Sequence, residues 1–255
     1  MAINIKTPAE IEIMRQSGRI LAATFSMLMN NLKPGISTQE LDKIAEDFIR
    51  SQGATPACKG YKGYPATLCT SVNDEVVHTI PSSKQIKDGD IITLDCVVNY
   101  QGYLTDSAIT CFVGNVNQNT QNFVFTVRNI LQEAIKLVKP GIRLGDISNY
   151  IETETKKAGF HIIKELIGHG IGKQMHEEPE VPNYGKKGSG PVLKPGMTIC
   201  IEPIVGMNTK HIGELADHWT IVTQDGTLAC QEEHTVLITD TGFEVLTLRD
   251  DENWL

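Results

Sequence analysis

Absences narrow this 255-residue chain first. Its six cysteines, at positions 58, 69, 96, 111, 200 and 230, are scattered and form no CxxC pair. That pattern argues against a structural zinc module and suits a reduced, cytosolic (cytoplasmic) protein. No run approaches the ~18 apolar residues that a membrane span needs. The opening MAINIKTPAEIEIMRQS has no cationic stretch followed by an apolar one, so no secretory signal is expected. Low-complexity tracts and long linkers are missing as well. Basic residues are the minority, 23 against 31 acidic, for a formal charge of −8. The acidic field argues against nucleic acid as the main partner. Hydrophobic residues make up 40% of the chain, enough for one substantial core or two joined ones.

What is present begins with punctuation. Thr7-Pro8-Ala9-Glu10 has capping-box spacing with proline at the first helical position. Ile11, Met14, Leu21, Phe25 and Leu28 then follow helical spacing, which predicts a helix to about Met29. Ser37-Thr38-Gln39-Glu40 is a second capping box, ahead of the stripe Leu41, Ile44, Ala45, Phe48 and Ile49. Residues 54–80 read as loops and short strands. Further helices are expected over 122–138 and from about Asp146 to Lys157. Lys139-Pro140-Gly141-Ile142 repeats Lys33-Pro34-Gly35-Ile36 at an offset of 106, and Gly159 repeats Gly53. KPGMTICIE (194–202) echoes KDGDIITLD (87–95) at an offset of 107 and places Glu202 where Asp95 stands. The chain therefore reads as a single domain of two similar halves, about 1–120 and 121–255. Strands should line a pseudo-twofold axis with helices outside, bringing Asp95 and Glu202 together.

Ile91 to Val113 reads as a hairpin around Asn99-Tyr100-Gln101-Gly102. A turn centred between Tyr100 and Gln101 would set Asp95 directly opposite Asp106. Like charges so placed on a buried strand require a shared proton or a cation. Two more carboxylates stand in apolar, strand-like runs, Glu202 in ICIEPIV and Glu233 in LACQEEHTVLI. His169 is framed by glycines in LIGHGIGKQMH. Singly, each of these residues reads as an ordinary structural group. Together, an oxygen-rich set with one imidazole suits divalent Mn, Fe or Co. Bridging carboxylates allow two ions ~3.5–4 Å apart.

Asp95, Asp106, His169 within GHGIG, Glu202 within IEP, and Glu233 before His234 make up a pattern that resembles the methionine aminopeptidases, type I. GYPATLCTSVNDEVVHTIP (63–81) and HGIGKQMHEEPEVPNYG (169–185) extend the resemblance over essentially the whole chain. It implies the α+β pita-bread fold, with central antiparallel strands and outer helices. It also implies a centre of two divalent ions, Co, Mn or Fe, with Zn or Ni substituting in vitro. Asp106 and Glu233 would bridge them, Asp95 would chelate one, and His169 and Glu202 would complete the other. An activated water would attack the first peptide carbonyl, with Glu202 taking its proton. His176 would bind the carbonyl oxygen, and His78 the substrate backbone. Cys58, Tyr61, Tyr64, Cys69, Met175 and Trp219 would wall the methionine pocket. His161, His211, His218 and His234 are left as structural or surface groups.

This chain departs from the family pattern at several positions. Met175 stands where relatives often carry Phe, and Leu166 where an aromatic is frequent. Ala229 and Glu232 replace a Ser and a Tyr seen in some relatives. A monovalent cation bound in some members near the matches of Asn73, Glu75 and Ala229 would here have no side-chain oxygen from Ala229. The extra N-terminal domain of X-Pro-cleaving relatives has no counterpart. The expected function is removal of the initiator methionine from nascent polypeptide N-termini with a small second residue, by a monomer without membrane contact. The chain's own Met1-Ala2 start is such a sequence. Lys186-Lys187 could make transient ribosome contact, against the plainer reading of a solvated loop. The alternatives are an X-Pro peptidase of the same fold and a non-catalytic binding domain.

Overall fold

Two capping boxes set the first helical layer. In the computed structural model, which describes residues 2–254, Thr7 accepts from Glu10 N–H and Glu10 reaches back to Thr7 N–H, opening α1 (Pro8–Asn31). Met1 of the Met1-Ala2 start and Leu255 lie outside the described residues. Ser37 and Glu40 repeat the arrangement at α2 (Thr38–Ser51). α3 (Gln118–Lys136) starts earlier than the apolar periodicity indicates, because Asn117 caps Thr120 N–H. α4 spans Leu144–Lys157. No helix among the described residues is long and apolar enough to cross a membrane.

The strands are short except for one hairpin. In chain order they are β1 (Thr55–Pro56), β2 (Leu68–Val72), β3 (Glu75–Val77), β4 (Ile91–Tyr100), β5 (Tyr103–Phe112), β6 (His161–Ile162), β7 (Gly168–Gly170) and β8 (Glu177–Val181). Then come β9 (Thr198–Ile201), β10 (Ile204–Gly206), β11 (Ile212–Glu214), β12 (Ile221–Thr223), β13 (Ala229–Gln231), β14 (Glu233–Ile238) and β15 (Phe243–Val245). A nine-stranded antiparallel sheet runs β1-β4-β5-β14-β9-β7-β8, with β2 also on β4 and β15 also on β14. Two three-stranded sheets, β13-β10-β6 and β11-β12-β3, flank it.

Side-chain alternation separates helix side from cavity side. Ile92, Leu94, Cys96 and Val98 of β4 pack with Leu21, Phe25, Leu41 and Ile49 of α1 and α2. Ile199, Ile201, Val236 and Ile238 pack with Phe123, Val127, Leu131 and Ile147 of α3 and α4. Each helix pair thus covers one part of the sheet, and the intervening odd-numbered positions of β4 and β14 turn to the other face.

The hairpin register differs from the expected one. Asp95 pairs with Ala108 and Val97 with Asp106, while Tyr100 closes on Tyr103. The turn is therefore centred on Gln101-Gly102, at φ +50° and +85°. A two-residue turn matching strand twist needs both central residues left-handed, and glycine takes the second place. The slip is two residues, so both aspartates stay on one face. They become diagonal rather than direct neighbours, ~7–8 Å apart at Cα. The run ICIEPIV is also not one strand: Glu202-Pro203 separates β9 from β10, since Pro203 has no N–H for a ladder.

Candidate metal centre and substrate cavity

Every residue expected at the site lines one cavity of about 310 Å³. β4 and β5 deliver Asp95 and Asp106, the β9–β10 break delivers Glu202, and the start of β14 delivers Glu233. His169 sits mid-β7. Its flanking glycines are required by packing: a Cβ on Gly168 would strike the Cys200 carbonyl oxygen, and one on Gly170 that of Glu178. His78 follows β3 in the left-handed region, at φ +60°, a strained conformation for a non-glycine residue.

Asp106, Glu202 and Glu233 are buried, at 6%, 7% and 1% exposure, and among the described residues that line the cavity the one Lys or Arg is Lys62, which pairs with none of them. Burial first, then the neighbouring carboxylates, pushes all three pKa values well above the ordinary range. Burial holds Asp95 at about 6. His169 Nε2 is 3.7 Å from both Asp106 Oδ2 and Glu202 Oε1. Burial also lowers the His169 pKa, so its ring is neutral. Its Nδ1 lies 3.0 Å from Gly170 O, an acceptor only, so Nδ1 carries the hydrogen. The bare Nε2 lone pair then faces two carboxylates.

The chemistry of this donor set fits divalent cations. Asp106 Oδ1 and Glu233 Oε1 are buried without any hydrogen-bond partner. Asp106, His169, Cys200 and Glu233 each offer an atom within 4.8 Å of the others. Oxygen ligands with a neutral imidazole match a divalent-metal site. Around Asn73 the case is the reverse. Its side chain is committed to Asp90 and to Ile91 N–H, and its carbonyl accepts from Ala229 N–H. Glu75 accepts from Val72 N–H and pairs with Lys84 at 2.7 Å. The side-chain oxygens of Asn73 and Glu75 are thus engaged by protein, which leaves backbone carbonyls such as that of Asn73, with a second lone pair, to meet a monovalent ion.

Sequence reasoning missed Gln231 and Cys200. Gln231 Nε2 lies 3.4 Å from Asp95 Oδ2 and 3.3 Å from Glu202 Oε2, joining the carboxylates that the internal repeat aligns. The signal was present: Gln231 stands two residues before Glu233 and Cys200 two before Glu202, the spacing that shares a strand face. Burial raises the Cys200 thiol well above its usual range, and it sits 3.6 Å from Thr235 Oγ1.

The rest of the cavity is shaped for an apolar side chain. Cys58, Tyr64, Cys69 and Met175 form a buried cluster with Tyr61 and Trp219 against it. Tyr64 and Trp219 stack edge to face at 5.0 Å. Burial keeps the Cys58 and Cys69 thiols protonated. At the mouth, His176 packs 4.3 Å from the His169 ring, and its Nδ1 lies 2.9 Å from the Tyr61 hydroxyl. One edge of His176 is open to solvent, yet loss of water on its inner side, then nearby His169 and Lys62, bring its pKa to about 4.

Comparison with known proteins agrees with this geometry. Residues 12–240 match the family described as metallopeptidase family M24. The chain is 47% identical over 242 residues to "Methionine aminopeptidase 1" of Bacillus subtilis (strain 168), covering 95% of this chain and 98% of the relative. A crystal structure of methionine aminopeptidase from Thermotoga maritima superposes with a TM-score of 0.95 at 41% identity, covering 96% of this chain and 99% of that one. Prolidase from Pyrococcus furiosus shares the fold at a TM-score of 0.78 and 25% identity, with 66% of that chain covered.

Proposed function

The chain belongs to metallopeptidase family M24, and from this premise we propose that it removes the N-terminal methionine from polypeptides whose second residue is small. The observation that carries the reading is the neutral His169 lone pair facing Asp106 and Glu202, beside the buried Asp106 Oδ1 and Glu233 Oε1, which have no hydrogen-bond partner among the described residues. Asp95, Asp106, His169, Glu202 and Glu233 would hold two divalent ions. When bound, such ions supply Lewis acidity that brings water's pKa from about 15.7 toward 7.

The chain's own residues do the remainder. The thiol- and aromatic-lined pocket takes the unbranched thioether, to which sulfur–aromatic contacts add a little affinity. His176 is neutral near pH 7. With the Tyr61 hydroxyl donating to Nδ1, its Nε2–H is free to donate to the scissile carbonyl oxygen as charge develops there. Glu202 accepts the proton of the attacking water. His78, at the mouth, contacts the substrate backbone. In the cytosol the substrates would be N-termini of nascent chains, met transiently at the ribosome. The test is turnover of a Met-Ala-Ser peptide beside an Ala-Pro peptide, after chelation and single-metal add-back. Restored cleavage of the methionyl peptide alone is expected. Preference for Ala-Pro would replace this reading with an X-Pro peptidase.

A further inference from the structure

Glu232 is one residue from Glu233 and has the opposite fate. It is fully buried and faces α3, where Arg128 Nη2 lies 2.9 Å from its Oε1 and Nε 3.2 Å from both carboxylate oxygens. Arg128 Nη2 also donates to the Thr110 carbonyl at 2.7 Å, and Thr110 N–H donates to Glu232 Oε1 at 3.3 Å. One guanidinium fork thus ties α3 to β5 and to Glu232, a task that suits arginine better than lysine.

The location matters because the main-chain ladder fails there. β5 pairs with β14 only at Ala108–Glu233 and Ser107–His234. β13 ends at Gln231 and β14 begins at Glu233, so Glu232 falls in the gap. Side chains take over its fixation. Thr110 Oγ1 donates to Gln231 O at 2.9 Å, and Ser107 Oγ to Glu233 O at 2.7 Å. Glu232 N–H also reaches Pro203 O at 3.4 Å, next to Glu202. Gln231 and Glu233, on either side of the gap, both line the cavity.

We propose that the Arg128–Glu232 pair is a positioning device for the metal centre, fixing the backbone that aims Gln231 and Glu233 into the cavity. This inference rests on the metal-centre reading above. A buried ion pair is weak support for a fold as such, since desolvation offsets its Coulombic gain. Groups that orient metal ligands are different: their loss typically costs about 10–100-fold in metal affinity.

The experiment is calorimetric titration of Mn²⁺ into the chelator-stripped full chain, with the Tm of each metal-free protein measured in parallel. The proteins are wild type, Arg128→Lys, Arg128→Met and the double variant Arg128→Met/Glu232→Leu. The double variant leaves no lone buried charge, so it stays folded where Arg128→Met does not. Mn²⁺ binding about 10-fold weaker or more is expected in the double variant, with Arg128→Lys intermediate. Wild-type Mn²⁺ affinity in the double variant, whatever its Tm, overturns the inference and leaves the pair a purely structural tie. No Mn²⁺ uptake by wild type would sink the metal-centre reading together with it.

Discussion

The two faces of the segment from Gln231 to Ile238 bury charge in opposite ways. On the even-numbered face, Glu232 meets Arg128, and His234 meets Thr247 and Glu252 with Arg249 behind them. On the odd-numbered face, Glu233 lies beside Asp106, His169 and Cys200, with further acids near, and no Lys or Arg among the described residues pairs with it. The same backbone therefore carries satisfied carboxylates on one side and unsatisfied ones on the other. Arginine forks make burial tolerable where they are supplied. Where the fold withholds them, protons or cations must come from outside. The contrast shows that burial alone does not mark a site; burial without a protein partner does.

The severest test removes a carboxylate from the unsatisfied face. Asp106→Ala or Glu233→Ala should lower peptide turnover by more than about 10²-fold, beyond the usual effect of an outer-shell change. Normal kcat in either variant would refute a dinuclear centre. His176→Ala, at the cavity rim, should lower kcat by ~10²–10³ if its Nε2–H stabilises the oxyanion. An effect on KM alone would remove that role.

Stability should also separate the two faces. Burial, then mutual repulsion, raises the folded pKa of Asp106, Glu202 and Glu233 above unfolded values, and burial holds Asp95 at about 6. The folded state then binds more protons than the unfolded chain from about pH 4 upward, so metal-free stability falls as pH rises. Chelated protein should lose Tm by ~3 °C or more between about pH 5 and 8. Mn²⁺ should cancel that fall, because metal replaces the protons. Asp106→Asn should flatten the chelated curve. A curve already flat in wild type would contradict the account.

The satisfied face should behave in the opposite sense. Burial would raise the Glu252 pKa, but its hydrogen bond with His234 and the charge of Arg249 bring it to about 2. Its stabilising contribution is present above about pH 4.5 and fades as pH falls toward 2. Glu252→Gln should cost ~1–3 kcal/mol in urea unfolding at pH 7, less near pH 3, and leave Mn²⁺ affinity unchanged. Weakened Mn²⁺ binding in this variant would mean that the His234–Glu252 tie, like the Arg128–Glu232 pair, also positions the neighbouring Glu233.

Much of the fold is legible in the sequence. Thr7/Glu10 and Ser37/Glu40 mark their helices because capping is local chemistry. The repeat of Lys33-Pro34-Gly35 at Lys139 anticipates the second helix pair. The cavity residues came largely from family resemblance, and all of them line one space. The hairpin register was not legible, because Asn99-Tyr100-Gln101-Gly102 offers two possible turn centres, and the strand twist selects between them. Gln231 was passed over because only its spacing of two from Glu233, and nothing in the amide itself, marks it.

Within the sequence alone lie the starts of the first two helices, the alternation that segregates apolar from polar faces, and the inventory of acids and histidines. These depend on interactions within a few residues. Tertiary structure decided which acids went without a partner. Arg128 lies 104 residues from Glu232 and reaches it only because α3 packs behind β5. Among the described residues no Lys or Arg pairs with Asp106 or Glu233. Whether a buried carboxylate is a structural tie or half of a metal site depends on what the fold places across from it, and nothing local to the chain encodes that.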